Sequence, residues 1–191
     1  MQKITTTMLD WAKKIWPYNR SLTGKGNLKT LEFIKNKIPD LKILKVKSGF
    51  KAFDWIVPDE WEISNGYIVM PNGKRISEFK KNNLHVLGYS NKVNIKTTLK
   101  NLKKYIYTQK DRPKAIPYVT SYYKKSWGFC MSENNLKKLK SGQYRAVIDS
   151  KFKKGHMHYG EIKFKGKSNK EIFLSTNICH PSMANNEISA I

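Results

Sequence analysis

The sequence predicts an α/β fold in which two N-terminal helices and part of a mixed sheet flank a mostly β module. Three observations predict it. Residues 5–16 and 27–38 each space their apolar groups at helical intervals. Residues 41–47 alternate apolar side chains with lysine, as a half-buried strand does. From residue 50 to 155, short runs of Trp, Tyr, Ile and Val are broken by turn residues, the pattern of many short strands. The expected boundaries are 1–49 for the helices and first strand, 50–155 for the inserted β-rich module, and 156–191 for the return to the α/β sheet.

In order, Met8, Leu9, Ala12, Ile15 and Trp16 predict a first helix over 5–16, with Thr5, Thr6 or Thr7 as its cap and Pro17 as its stop. PYNRSLTGKGN over 17–27 is a loop. Leu28, Leu31, Ile34 and Ile38 predict a second helix over 27–38, capped by Asn27 and stopped by Pro39. Within 50–155, Pro71-Asn72-Gly73 between apolar runs predicts a hairpin. Strands are expected at 85–90, 116–122, 127–131 and 143–152, and short helices at 97–106 and 132–140, the latter capped by Ser132. Two further strands are expected at 161–166 and 171–177, the second ending just before His180.

Composition narrows the function. The chain has 191 residues, 39% of them hydrophobic, enough for a packed core. No apolar run approaches the roughly 20 residues of a membrane-spanning helix. The N-terminus lacks the apolar region of a signal peptide, so a cytoplasmic location is the default expectation, with no membrane partner. Two cysteines, Cys130 and Cys179, without a CxxC pair, predict reduced thiols and argue against a Cys-rich zinc site. The net charge of +23 invites a nucleic-acid reading. Against it, only four of the 37 basic residues are arginine (Arg20, Arg75, Arg112, Arg145), and the lysines are scattered rather than gathered in one face.

Few residues carry chemistry. A neutral imidazole on a short turn past a strand suits a metal, and His180 in ICHPSMANN occupies such a place; Asn186 and Glu187 follow where a helix should begin. By residue pattern alone, a single His before Pro without an HxxxH or HExxH companion is more often a loop residue. His156 and His158, spaced i, i+2, share one strand face and read as a polar strand start before they read as ligands. His85 reads as a hydrogen-bonded strand residue, and Asp54 as a turn anchor. The aromatics Trp55, Trp61, Tyr67, Tyr118, Tyr122, Tyr123 and Trp127 would serve a sugar or peptide platform, but a β core needs them as well. GKGN at 24–27 lacks the spacing and upstream strand of a phosphate loop, and the SxxK at Ser121–Lys124 lacks its companions.

Taken together, WPYNRSLTGKGN (16–27), FDWIVPDEWEI (53–63), NNLHVLGYS (82–90), AIPYVTSYY (115–123), WGFC (127–130) and LSTNICHPSMANNE (174–187) resemble, in the same order, the bacterial aminopeptidase-like domain family, some of whose members are labelled polysaccharide-biosynthesis proteins. The resemblance covers essentially the whole chain. It implies an incomplete zinc-aminopeptidase-like mixed sheet with an inserted β-rich domain, and hydrolysis of peptide bonds by a zinc-activated water in the full-length family. It implies His180 as a metal ligand, with Asn186 where such peptidases place a bridging Asp and Glu187 beside it. Asn186 departs from that pattern, because an amide cannot neutralise two zinc ions as a carboxylate does. The later ligands and general base are expected from strands that this sequence does not contain, so the chain reads as the N-terminal part of such a protein, inactive alone. Its partners would be a peptide or small-molecule substrate and a C-terminal half or another chain. A non-catalytic sugar-, peptide- or partner-binding module is the alternative, and electrostatic nucleic-acid binding the third reading.

Overall fold

A computed structural model describes residues 2–181 and shows mixed α/β structure with several small sheets. The first helix, α1, runs Gln2–Ile15. It starts before the expected position, so Thr5, Thr6 and Thr7 lie inside it rather than capping it; threonine costs little within a helix. Pro17 follows its end, and Ile15 is fully buried. The second helix, α2, runs Lys25–Lys37 from Gly24, which sits at φ 97°. Asn27 is therefore not the cap. It is buried in the first turn, where its Oδ1 accepts from the Ser21 N–H at 3.2 Å and braces the preceding loop. A Cβ on Gly26 would lie 1.9 Å from the Asn19 carbonyl oxygen. Close backbone approach thus explains the glycine in GKGN without a bound phosphate.

Strand β1 (Lys42–Lys47) follows, then a small hairpin of β2 (Lys51–Ala52) and β3 (Trp55–Ile56). Asp54 is exposed in the turn between them, next to Phe53 at φ 56°, as expected of a turn residue.

The next segment supplies β4 (Glu60–Val69) and β5 (Arg75–Ile76), joined by the expected hairpin. Its turn closes through Met70 N–H to Lys74 O at 2.9 Å, with Gly73 at φ 79°. Then come β6 (Val93–Thr98), α3 (Leu99–Leu102), β7 (Ile106–Tyr107), β8 (Phe129–Cys130), α4 (Glu133–Lys137) and β9 (Gln143–Lys153). The helix expected at 97–106 is one turn of α-helix, capped by Thr98, that tightens into a 3₁₀ turn. Ser132 caps α4 by accepting from the Asn135 N–H.

Four strands form one sheet in the order β5-β4-β9-β6, and β7 pairs with β8 in parallel. Tyr144, Ala146, Ile148 and Ser150 alternate inward along β9. With Ile68, Leu102 and Phe129, the first three of these build the larger core. The strands expected at 85–90 and 116–122 are not formed. A 3₁₀ turn ends at His85, and Tyr89 at φ 63° turns the backbone, so only single bridges remain (Val86 to Phe129, Gly88 to Thr120).

The last strand, β10 (His156–Glu161), pairs antiparallel with β1, from Lys42 opposite Glu161 to Lys47 opposite His156. The strands expected at 161–166 and 171–177 are absent. Residues 162–180 carry no strand, because no further strand lies beside them to complete a ladder among the described residues. Ile162 and Ile178 instead pack on the smaller core of Leu31, Ile34 and Leu41. The chain divides into two compact units: Met1–Glu60 with Lys153–Ile191, and Trp61–Phe152. Among the described residues no helix is long and apolar enough to cross a membrane.

Candidate functional site

His180 lies in a bend next to the buried Pro181, two residues past Ile178, which anchors the segment to the α2 core. What holds the bend is Arg20. Its side chain is 1% exposed. Its Nε donates to the His180 carbonyl at 3.0 Å, and its Nη1 donates to the Ile15 carbonyl at 2.6 Å. The guanidinium therefore ties the C-terminal end of α1, where a cation is favoured, to a bend 160 residues later. The rigid base under His180 is this clamp rather than a strand end.

The electrostatics follow from the same contacts. Burial lowers the His180 imidazole below its ordinary value, and the neighbouring Arg20 charge lowers it further. The ring is thus neutral at neutral pH, the form that offers a lone pair to a metal. Burial raises the Cys179 thiol, so it stays protonated there. A zinc site needs about three protein donors, and no group of three His, Cys, Asp or Glu among the described residues is arranged to hold a metal. His180 fits as one ligand by its protonation. Asn186 and Glu187, the other two expected ligands, lie outside the described residues. The described part of the site thus offers one suitable donor, which falls short of a metal centre.

The other sequence candidates have structural places. His156 and His158 do share one face of β10, with ring centroids 6.1 Å apart. The His156 N–H donates to Glu60 Oε1 at 3.0 Å, while His158 Nδ1 is buried without a hydrogen-bond partner among the described residues. Trp61 is buried, stacks on Tyr89 and donates its Nε1–H to the Ser90 carbonyl at 2.9 Å. Tyr122 packs edge-on against Tyr89, and the Tyr118 and Tyr122 hydroxyls bond at 2.6 Å. Most of the aromatic set is thus packing; Tyr123 stays exposed. Cys130 is a free, buried thiol, pushed up to about 12 by burial.

Sequence reasoning missed Arg20 as a site residue. Its signal was present: an arginine inside YNRSLTG, in a chain that uses lysine almost everywhere else. A planar guanidinium, with donors fixed on separate nitrogens, reaches two separated carbonyls at once.

Comparison with known proteins gives the same direction as these motifs. Residues 60–151 match the family described as "Domain of unknown function (DUF2172)". The chain is 44% identical, over 179 residues and 94% of its length, to a Clostridium acetobutylicum protein named "Putative polysaccharide biosynthesis protein with aminopeptidase-like domain". It spans 41% of that relative, over the relative's N-terminal part. A crystal structure of a "putative peptidase" from the same organism superimposes with a TM-score of 0.92 at 41% identity, over 98% of this chain and 44% of that one.

Proposed function

We propose that this chain provides the first part of an aminopeptidase-like hydrolase, in which His180 is a metal ligand, and that it is inactive by itself. The observation that carries the reading is the Arg20 clamp on the His180 bend, in a chain similar over 98% of its length to a structure described as a peptidase. Zinc, when bound, would supply a Lewis acid and an activated water for cleavage of an N-terminal peptide bond. The chain's own contribution is narrower. Arg20 fixes the backbone that carries the imidazole, and burial keeps that imidazole neutral. Asn186 would contribute an oxygen without charge, and Glu187 a carboxylate. The remaining ligands and the general base would come from the part of such a protein that this chain does not span, which supplies the missing partner. The run Ile172-Phe173-Leu174 is where the rest of such a sheet would pair.

The test is a zinc titration of the pure chain and of His180→Ala, read by bound metal and by the thermal midpoint with zinc and with EDTA. The expected result is a zinc-dependent rise in the chain and none in the variant. Alongside it, peptide substrates are assayed for release of N-terminal residues. Chelator-sensitive release by the chain alone would overturn the inactive-alone part; zinc binding unaffected by His180→Ala would overturn the ligand assignment.

A further inference from the structure

Within the Trp61–Phe152 unit, a cleft of about 750 Å³ opens between the Pro71–Gly73 hairpin and the segment that follows α4. That volume is in the range of small-molecule sites, roughly 300–1,000 Å³. Its floor is the core itself: Met131 and Tyr144, both buried, line it with Met70, Ile76 and Leu139. Its rim is cationic. Arg75, Lys81, Lys138 and Lys140 line it against a single carboxylate, Glu78, which is already paired with Lys81. The other three cations have no carboxylate partner among the described residues.

Two features separate this cleft from the general basic surface. Arg75 is one of four arginines in the chain, and its guanidinium lies 4.1 Å from the centroid of the Tyr67 ring. Stacking holds the fork in place before any ligand arrives. His85 bonds through Nδ1 to the Cys130 carbonyl at 2.8 Å. A carbonyl only accepts, so Nδ1 carries the proton; in the neutral ring Nε2 is then an acceptor, suited to a hydroxyl of a ligand and not to its anionic group. Gly142, at φ 153°, brings the loop before β9 against Pro71: a Cβ there would lie 2.6 Å from Pro71 Cγ. This approach closes the wall on that side.

We propose that the cleft binds a small organic anion, a phosphate- or carboxylate-bearing molecule whose apolar ring rests on Tyr144 and Met131 while Arg75 and Lys138 hold the charge. An apolar floor with a few convergent polar groups gives orientation and specificity, and a preorganised arginine fork matches both anions. The inference does not depend on the hydrolase reading, because it uses residues of the other unit alone.

The experiment is calorimetric titration of the full chain with phenyl phosphate, with benzoate, and with benzamide as the uncharged control, at about 0.15 M ionic strength, where exposed charges are largely screened. Expected is saturable one-to-one binding of at least one anion with Kd below about 1 mM, and no binding of benzamide. Which anion binds separates a phosphate from a carboxylate ligand. Arg75→Gln with Lys138→Gln, both exposed positions, should weaken it at least about tenfold with an unchanged thermal midpoint. Lys92→Gln, whose ammonium pairs with Asp149 away from the cleft, should leave it unaltered. Failure of both anions to saturate, benzamide binding as tightly, or an equal loss in Lys92→Gln would overturn the proposal.

Discussion

Two regions of this molecule have similar apolar content and opposite fates. In the Trp61–Phe152 unit, the strand QYRAVIDS has a neighbour on each side, and its Tyr144, Ala146 and Ile148 are at most 2% exposed. In the stretch 162–177, EIFLSTN reads as an equally good strand, yet Ile172, Phe173 and Leu174 are 87–91% exposed. The difference is neighbours rather than propensity. A β-strand is stabilised by cross-strand pairs and by burial of one face, and neither exists until another strand is present. The apolar pattern of 171–177 is therefore not by itself enough to form a strand.

The comparison breaks most visibly at single phenylalanines. Phe129 is fully buried in the larger core, so Phe129→Ala should cost about 3–5 kcal/mol. Phe173→Ala should change stability by no more than about 0.5 kcal/mol. Urea unfolding of the two variants at one temperature checks the pair. A large loss at Phe173 would mean that 162–177 is packed in solution, and the contrast between the regions would be wrong. Limited trypsinolysis reads the same contrast independently. Lys163, Lys165, Lys167 and Lys170 are all exposed in the strandless stretch and should be cut first, leaving the β unit intact.

What the sequence made legible follows the same logic. Local rules worked where the partner is a few residues away, in the Pro71–Gly73 hairpin and the Ser132 cap, and where a strand's own pattern suffices, in the alternation along β9. Asn27 failed for a local reason: α2 starts two residues earlier, after Gly24, which puts Asn27 in the first turn, where it braces the Ser21 N–H six residues back. Elsewhere the rules failed where the deciding contact is distant. The strand at 85–90 failed at one backbone angle, Tyr89, and those at 161–166 and 171–177 failed for lack of a partner. His180 was visible as a residue, since few others carry such chemistry. Arg20 was legible only as a rare arginine; what it holds was not, because a contact across 160 residues leaves no periodic trace. The cleft around Arg75 and His85 was invisible for the same reason: its lining comes from segments spread from 70 to 144.

Arg20 sharpens the comparison next, since it holds the far end of the exposed stretch. Each bond from its buried guanidinium to a carbonyl is charge-assisted, and losing such a bond costs about 1.5–3 kcal/mol. Arg20→Met keeps much of the apolar stem and removes the donors, so it should lower stability by at least that amount. Arg20→Lys should recover little, because an ammonium cannot span Ile15 O and His180 O as a fork does. The specific readout is hydrogen exchange: the end of α1 and the 178–181 bend should lose protection together, while β9 keeps its own. Loss confined to α1 would show that the bend is held by something other than Arg20.

The smallest expected effect is a pH slope from the β1–β10 pair. Burial lowers the His158 imidazole below its ordinary 6.5; Glu60 opposes this, His156 and Lys45 add to it, and Glu32 opposes it weakly. The sign follows from proton counting. Between the lowered folded value and 6.5, the unfolded chain binds more protons at this position than the folded chain does. Stability from this group therefore rises with pH through that window and levels off above about 6.5. Nothing in the fold pairs with His158 Nδ1 among the described residues, so protonation gains no compensating bond there. His158→Gln, which cannot titrate, should flatten the slope below pH 6.5 in urea unfolding. An unchanged slope in His158→Gln would place the acid sensitivity elsewhere and leave β10 with no part in it.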